Sequence, residues 1–322
     1  MIGFSQKITY IQLLREVKKI DFNLSSPEGR EVIDKLLNET VLESGKRLRP
    51  MLVIIFSKVL GLSDNDTLEM AKCIEFVHSS SLAHDDVIDN ATTRRGKPSI
   101  NMLGSNKKAI LAGDYLLSET IVRLSKLNNV KVIESMANTI RDLSCGEWLQ
   151  SDLINNRNYQ DETLEEVSLL KTSSVIKWCV CGPLLFANKD ENSLKLAQEF
   201  GNKFGLAFQY IDDCLDYKST SNKDNLLDLK NNQLTKVTYE YFQKNHEDFK
   251  KYKSFEKNLD EIKFDADLLE VSIKHVYQVA CDLLDDCKVV LNELFETIGA
   301  PKEHPYVKVI LQLCDELKTR NN

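Results

Sequence analysis

Apolar residues recur three and four positions apart through residues 31–43, 48–61, 67–90, 107–127, 130–154, 163–187, 191–217 and 266–297. That period belongs to a helix that buries one face, and no stretch of useful length alternates as a strand would. Turn residues are sparse, 12 Gly and 6 Pro in 322 residues, too few for a sheet-rich or doubly wound chain. Short polar interruptions separate the helices, at Gly61 to Asp66, Arg95 to Pro98 and Asn155 to Asp161. No internal repeat and no Pro- or Ser-rich linker divides them. The expectation is an all-α chain that forms a single domain over 1–322 and is long enough to bury its own core. Residues 243–265, rich in Lys, Asp and Glu, read as a solvent-facing run.

The net charge of −7 argues against nucleic acid as a partner, because counterion release needs clustered cations. Met1 to Tyr10 is mixed and polar, so no signal peptide is expected and the cytoplasm is the expected compartment. The eight cysteines then read as reduced core thiols. Cys179 and Cys181, the one close pair, lack the second pair or nearby His that a zinc site needs. No apolar run reaches the ~18 residues expected of a membrane span.

Two acidic clusters interrupt this plain pattern. His84-Asp85-Asp86-Val87-Ile88-Asp89 follows the apolar stretch Ile74 to Leu82, and Asp212-Asp213-Cys214-Leu215-Asp216 follows Phe204 to Phe208. In each, the outer aspartates are four apart and stack on one face of a helix. One such cluster reads most simply as a polar helix end. Two with the same spacing, each ending an apolar helix, read as paired metal ligands. Facing each other across a bundle, they would form one metal cage. Hard carboxylate oxygens suit magnesium, which keeps waters and shares substrate phosphates.

Cations stand beside the acids. Gly45-Lys46-Arg47-Leu48-Arg49-Pro50 offers three before a helix, and Arg94-Arg95-Gly96 follows the first acidic cluster. Each alone is ordinary loop charge; together with the acids they describe a diphosphate site, with Arg giving forked contacts and Lys a point charge. His78 and His84, on an apolar helix, read first as satisfied core histidines.

With these motifs in order, the chain resembles the trans-isoprenyl diphosphate synthases over about Leu36 to Thr235. The two aspartate motifs, Gly45 to Pro50, Arg94-Arg95, Lys171-Thr172, Gly113-Asp114, Gly146-Glu147 and Phe208-Gln209 all carry the likeness. The resemblance implies long antiparallel helices around a deep central cavity, an obligate dimer and three magnesium ions. Asp85, Asp86, Asp89, Asp212, Asp213 and Asp216 would hold the metals. Lys46, Arg49, His78 and Arg95 would bind isopentenyl diphosphate. Arg94, Lys171, Thr172, Gln209 and Lys223 would face the allylic diphosphate, with Thr172 and Gln209 turning dipoles to the allylic cation. The implied reaction is a trans-prenyl transfer from an allylic primer, farnesyl diphosphate being expected, with release of the product to a membrane.

The lid after the second aspartate motif, 218–236, departs from the family. Its glycines are absent, Lys223 and Asp228-Leu229 stand for family residues, and Gln233 replaces a lysine for which Lys230 or Lys236 would compensate. Chain length is read upstream of Asp85. Ser80 and Ser81 leave a shaft open there, Val77 and Ile74 lie a turn below, and Met136 and Ile140 are candidates for its floor. Residues 131–136 and 146–150 are similar in pattern to bacterial octaprenyl diphosphate synthases. The expected product is long, about six to eight isoprene units, of the kind used for quinone side chains. A geranylgeranyl diphosphate synthase and a non-catalytic regulatory subunit of a heteromeric synthase are the alternatives.

Overall fold

A computed structural model describes residues 9–24, 31–43, 45–94, 96–217 and 227–320. Arg95 and residues 218–226 of the expected lid, Lys223 among them, lie outside the described residues. The described chain is all-α apart from one antiparallel two-stranded ribbon, β1 (Thr93–Arg94) with β2 (Lys97–Pro98). Two compact units are resolved. One comprises Met1–Ile140, Trp178–Ala197 and Leu294–Ile310, and the other Arg141–Lys177, Gln198–Glu293 and Leu311–Asn322.

The first unit contains α1 (Tyr10–Lys18), α2 (Glu31–Glu39), α3 (Leu48–Val59), α4 (Asp64–Ile88), α5 (Ile100–Leu103) and α6 (Asn106–Ser125). Met51 to Phe56 of α3 is apolar on every side and at most 2% exposed, as the innermost helix of a unit should be. α4 begins at Ser63, whose hydroxyl accepts the Asp66 N–H, and packs between α3 and α6. Its approach to α6 is close because Gly113 has no side chain: a Cβ there would overlap the His84 ring. At the same contact the Ser80 hydroxyl donates to the Gly113 carbonyl at 2.9 Å.

Residues of the second unit lie on α7 (Val130–Asn156), α8 (Asp161–Ser168), α9 (Ser174–Phe186), α10 (Glu191–Asp216), α11 (Leu227–Lys230), α12 (Lys236–Lys244), α13 (His246–Lys253), α14 (Ala266–Thr297) and α15 (Pro305–Lys318). Of these, α7, α9, α10, α14 and α15 carry residues of both units. The helix expected over 163–187 is interrupted by a π-helical turn, Leu169–Ser173, between α8 and α9. Gly201 and Gly205, one turn apart on α10, let it press against α9 and that turn, since a Cβ at Gly201 would overlap the Lys177 backbone and one at Gly205 the Ser173 backbone.

The charged run 243–265 is not simply solvent-facing. Tyr252 and Leu259 are fully buried, and they join Tyr241, Phe242, Tyr159 and Ile262 in one cluster. Arg157 donates to the Tyr252 and Lys257 carbonyls, each at 2.8 Å, and lies over the Tyr252 ring at 4.5 Å. The stretch 161–186 is long and apolar enough to cross a membrane, contrary to the sequence reading, but 67% of its apolar window is buried inside the protein. None of the eight cysteines is in a disulfide. Burial raises the thiol pKa of Cys73, Cys179, Cys287 and Cys314, which leaves them poor nucleophiles.

Candidate active site

The first acidic cluster closes α4. Asp89 caps the helix and donates its N–H to the Asp85 carbonyl at 2.8 Å, which places Asp85 and Asp89 one turn apart on one face. Both are half-buried. Asp86 turns the other way and is 0% exposed. One of its oxygens accepts from Arg94 Nε at 2.7 Å and the other from the Ile100 N–H at 3.3 Å, while Asn101 donates to its carbonyl at 3.1 Å. These bonds fold the 89–99 loop back onto α4. The sequence reading made Asp86 a metal ligand and Arg94 a diphosphate contact; here each is engaged by the other.

The basic turn splits its three cations. Lys46 is exposed and Arg49 is half-buried in the first turn of α3. Arg47 is buried, with its carboxylate partner Glu75 on α4. Sequence reasoning counted Arg47 as a third phosphate cation and missed Glu75, although a glutamate between Ile74 and Phe76 in an apolar run is a signal of a buried partner. His78, half-buried, follows Glu75 by three residues. His84 contacts α6, with Nε2 3.2 Å from the Ile110 carbonyl and 3.4 Å from Asp114.

In the second unit a single i, i+4 row on α10 builds the site: Gly201, Gly205, Gln209, Asp213. Gly201 seats α10 on α9 and Gly205 seats it on the π-helical turn, and the next residue of the row then meets Thr172. Thr172 Oγ1 donates to Gln209 Oε1 at 2.7 Å, and Gln209 Nε2 donates to Asp213 at 2.8 Å. The carboxylate accepts only, so it orients the amide. The amide oxygen then makes the threonine hydroxyl a donor and leaves the lone pairs of that hydroxyl outside the bond. Asp213, 6% exposed, also accepts the N–H of Lys236, the first residue of α12. The middle aspartate of each cluster is thus turned inward, while Asp212 and Asp216 are half-buried like Asp85 and Asp89. Asp212 pairs with Arg320 at 2.8 Å.

Thr172, Gln209 and Asp213 line a cavity of about 240 Å³ together with Lys171, Gln150, Gln233, Tyr210 and Lys236. Lys171 pairs with Glu147 and donates to Gln150 at 3.0 Å; Gln150 in turn donates to Gln233 at 2.8 Å. Gln233 therefore accepts at the end of a relay that begins at a cation, a role a lysine could not fill. Lys236 is buried against Asp161, with Glu240 at 3.4 Å, while Lys230 is exposed.

Of the chain-length candidates, Ile74, Val77 and Met136 are fully buried and Ser80 is 1% exposed, its hydroxyl spent on α6. Ser81 and Ile140 are half-buried, and the Ser81 hydroxyl donates back to the His78 carbonyl at 2.9 Å.

Among the described residues no three His, Cys, Asp or Glu side chains converge on one metal-sized position. Magnesium does not require that. It is commonly held by one or two carboxylates, with waters and substrate phosphate completing six oxygens. The half-buried outer aspartates fit that donor set; the enclosed Asp86 and Asp213 do not.

Residues 30–271 match the polyprenyl synthetase family model. The chain is 40% identical to decaprenyl-diphosphate synthase of Dictyostelium discoideum over 181 residues, 55% of this chain and 39% of that protein. It is 32% identical to octaprenyl diphosphate synthase of Escherichia coli over 190 residues, 59% of this chain and 58% of that one. The chain thus spans about half the length of the relatives it matches. Among solved structures, decaprenyl diphosphate synthase from Rhodobacter capsulatus superposes with a TM-score of 0.81 at 25% identity, covering 97% of this chain and 95% of that one. A Caulobacter crescentus polyprenyl synthase complexed with calcium and isoprenyl diphosphate has the same fold, with a TM-score of 0.77 at 20% identity, covering 99% and 100%. The chain belongs to the polyprenyl synthetase family.

Proposed function

We propose that this member of the polyprenyl synthetase family is a magnesium-dependent trans-prenyltransferase. It would condense isopentenyl diphosphate with an allylic diphosphate to make a long all-trans polyprenyl diphosphate. The observation that carries this reading is the stacking of Asp85 on Asp89 through the 2.8 Å backbone bond, with Asp212 and Asp216 repeating the spacing. Oxygen-only, half-buried carboxylates in pairs suit a hard cation that brings its phosphate with it. Bound there, magnesium supplies charge neutralisation for the departing diphosphate.

The remaining chemistry falls to the chain's own groups. The C–O bond of the allylic diphosphate breaks, the bonding pair leaves with the diphosphate, and the double bond of isopentenyl diphosphate attacks the carbon left cationic. The proton then lost from C2 passes to the departed diphosphate, so no separate nucleophile or base is needed. Thr172 and Gln209 meet the developing positive charge with fixed dipoles; such preorganised groups pay no reorganisation during reaction. Lys171 is assigned to the allylic diphosphate, and Lys46, Arg49, His78 and Arg95 to isopentenyl diphosphate.

The relatives named for octaprenyl and decaprenyl products support a long chain, and six to eight units remains the proposed length, with a quinone side chain as its use. A homodimer is supported by a stripe on α6, where Ile110, Leu111, Ile121 and Val122 are 37–54% exposed and repeat after three turns. Farnesyl diphosphate is the proposed primer and the cytoplasm the proposed compartment.

The test is incubation of the purified chain alone with farnesyl diphosphate, isopentenyl diphosphate and magnesium, followed by sizing of the products. A long polyprenyl product supports the reading. No elongation by the folded chain, with elongation on adding a second subunit, would assign it to the regulatory alternative.

A further inference from the structure

We propose that Arg47 and Glu75 are a positioning pair that holds the basic turn at Lys46 and Arg49 in register with the His78 face of α4, and so sets affinity for isopentenyl diphosphate without touching it. The proposal rests on the prenyltransferase reading above.

Arg47 lies within the basic turn, yet its guanidinium is directed inward. It donates to the Glu75 carboxylate and to the Leu42 carbonyl, and stacks over the Phe22 ring at 4.4 Å. The two side chains of the ion pair are 8% and 7% exposed. Arg47 also caps α3 in the left-handed region, at φ 52°. A non-glycine residue stays there only where its surroundings over-determine it. The inward anchors supply that determination: they fix the side chain, and the side chain fixes the turn from which Lys46 and Arg49 depart.

Glu75 anchors the other end. It precedes His78 by three residues, so the two share a helix face and lie about 4.5 Å apart along the axis. Arg49 follows Arg47 by two residues, in the first turn of α3. Burial raises the Cys179 thiol pKa, the Arg49 charge opposes that shift, and the Glu75 charge adds to it, so one buried thiol feels both charges. A buried ion pair contributes little net stability but is strict about geometry, because either partner left alone is a buried charge. Here that strictness falls between the two elements assigned to one diphosphate.

The test uses the full chain and two conservative variants. Glu75→Gln keeps the size and an acceptor for Arg47 but removes the charge; Arg47→Lys keeps the charge but loses the fork. Isopentenyl diphosphate binding is measured by calorimetry, KM for each substrate by initial rates, and folding by thermal unfolding. The expected result is cooperative unfolding of both variants, with Kd and KM for isopentenyl diphosphate raised about 10-fold or more, the scale of one charged hydrogen bond misplaced. The KM for farnesyl diphosphate should stay within about twofold, since Lys171, Thr172 and Gln209 are untouched. A folded variant that binds isopentenyl diphosphate as the parent does overturns the proposal. So does an equal rise for both substrates, or failure of both variants to fold, which would make the pair purely structural. A parent chain that binds isopentenyl diphosphate but never elongates a primer overturns the prenyltransferase reading instead, and the calorimetric comparison still decides the role of the pair.

Discussion

The Arg94 guanidinium donates to the Asp86 carboxylate at 2.7 Å, and that carboxylate has no exposed surface. Its neighbours in the acidic cluster, Asp85 and Asp89, are half-buried with their carboxylates on one helix face. One motif therefore divides into two kinds of aspartate, and the two kinds should fail differently.

Removing an outer aspartate should remove chemistry with little effect on the fold. Asp85→Ala or Asp89→Ala is expected to lower magnesium-dependent turnover by about three orders of magnitude or more, the scale of a lost electrostatic contact to the leaving group. Thermal unfolding should stay near that of the parent. Removing Asp86 should loosen the fold first. Asp86→Ala leaves Arg94 and the Ile100 N–H without their acceptor, and is expected to destabilise by about 2–3 kcal/mol, discounted from a fully buried pair because Arg94 is part-exposed. If Asp86→Ala unfolded like the parent while Asp85→Ala lost stability, this division would be wrong.

Gly205→Ala tests how the Gln209–Thr172 contact of the second unit is held. A Cβ at Gly205 would overlap the Ser173 backbone, so α10 must retreat from the π-helical turn, carrying Gln209 away from Thr172. Overpacking of this kind is expected to cost about 1–3 kcal/mol. The allylic KM should rise as well, because the Gln209–Thr172 geometry depends on that approach. A variant with parental stability and kinetics would show that the helices separate without consequence.

The helices were readable because a 3.6-residue apolar period survives in nearly every one: expectations such as 191–217 and 266–297 match α10 and α14 to within a residue. The π-helical turn was not: the polar run Lys171 to Ser174 leaves a single five-residue step between Leu170 and Val175, and one such step in an otherwise regular period reads as a polar helix face rather than as an inserted residue. The 243–265 run misled for the opposite reason. Its buried aromatics are spaced too widely to make a period, and surrounding charges dominate the composition. In the site, spacing placed Asp85 beside Asp89, but it could not say that Asp86 would find Arg94 or that Asp213 would hold the start of α12. Those partners come from loops that return to the helix, and a period says nothing of where a loop returns. Arg47 was miscounted for the same reason, its partner Glu75 being distant in sequence.

Gln233→Lys restores a cation where the resemblance places one. The new ammonium would stand in the cavity beside Gln150, whose oxygen already accepts from Lys171. With a diphosphate bound, two cations share the anion, and the allylic KM is expected to fall by up to ~10-fold, the value of one charge-assisted hydrogen bond. With no anion bound, the two ammonium groups repel across Gln150, so the unliganded variant should melt slightly lower than the parent. An unchanged or higher allylic KM would show that Gln233 is not at the diphosphate.

Ser80 and Ser81 are adjacent in sequence, but the structure separates their roles, and product length should separate them too. Ser81, Asp85 and Asp89 form one i, i+4 row on α4, with Val77 next below. A tail descending from a diphosphate held at Asp85 passes Ser81 after four residues, about 6 Å along the axis, close to the length of one isoprene unit. Ser81 is half-buried and its hydroxyl bonds within its own helix, to the His78 carbonyl, so replacing it breaks no described contact to another helix. Ser81→Tyr is therefore expected to shorten the product to about three or four units while the first condensation proceeds at near the parental rate. Ser80 lies a further 100° around the helix, is 1% exposed and donates to Gly113 on α6. Ser80→Phe would drive a ring into the α4–α6 contact instead of a shaft, at a cost of about 1–3 kcal/mol or more. Any folded Ser80→Phe enzyme should keep the parental product length. Reversed-phase chromatography of products at a fixed substrate ratio, beside a melting curve for each variant, decides between them. Shortened products from Ser80→Phe with parental stability, and none from Ser81→Tyr, would place the growing tail on the α6 side of the helix and overturn the assignment of the Ser81 row.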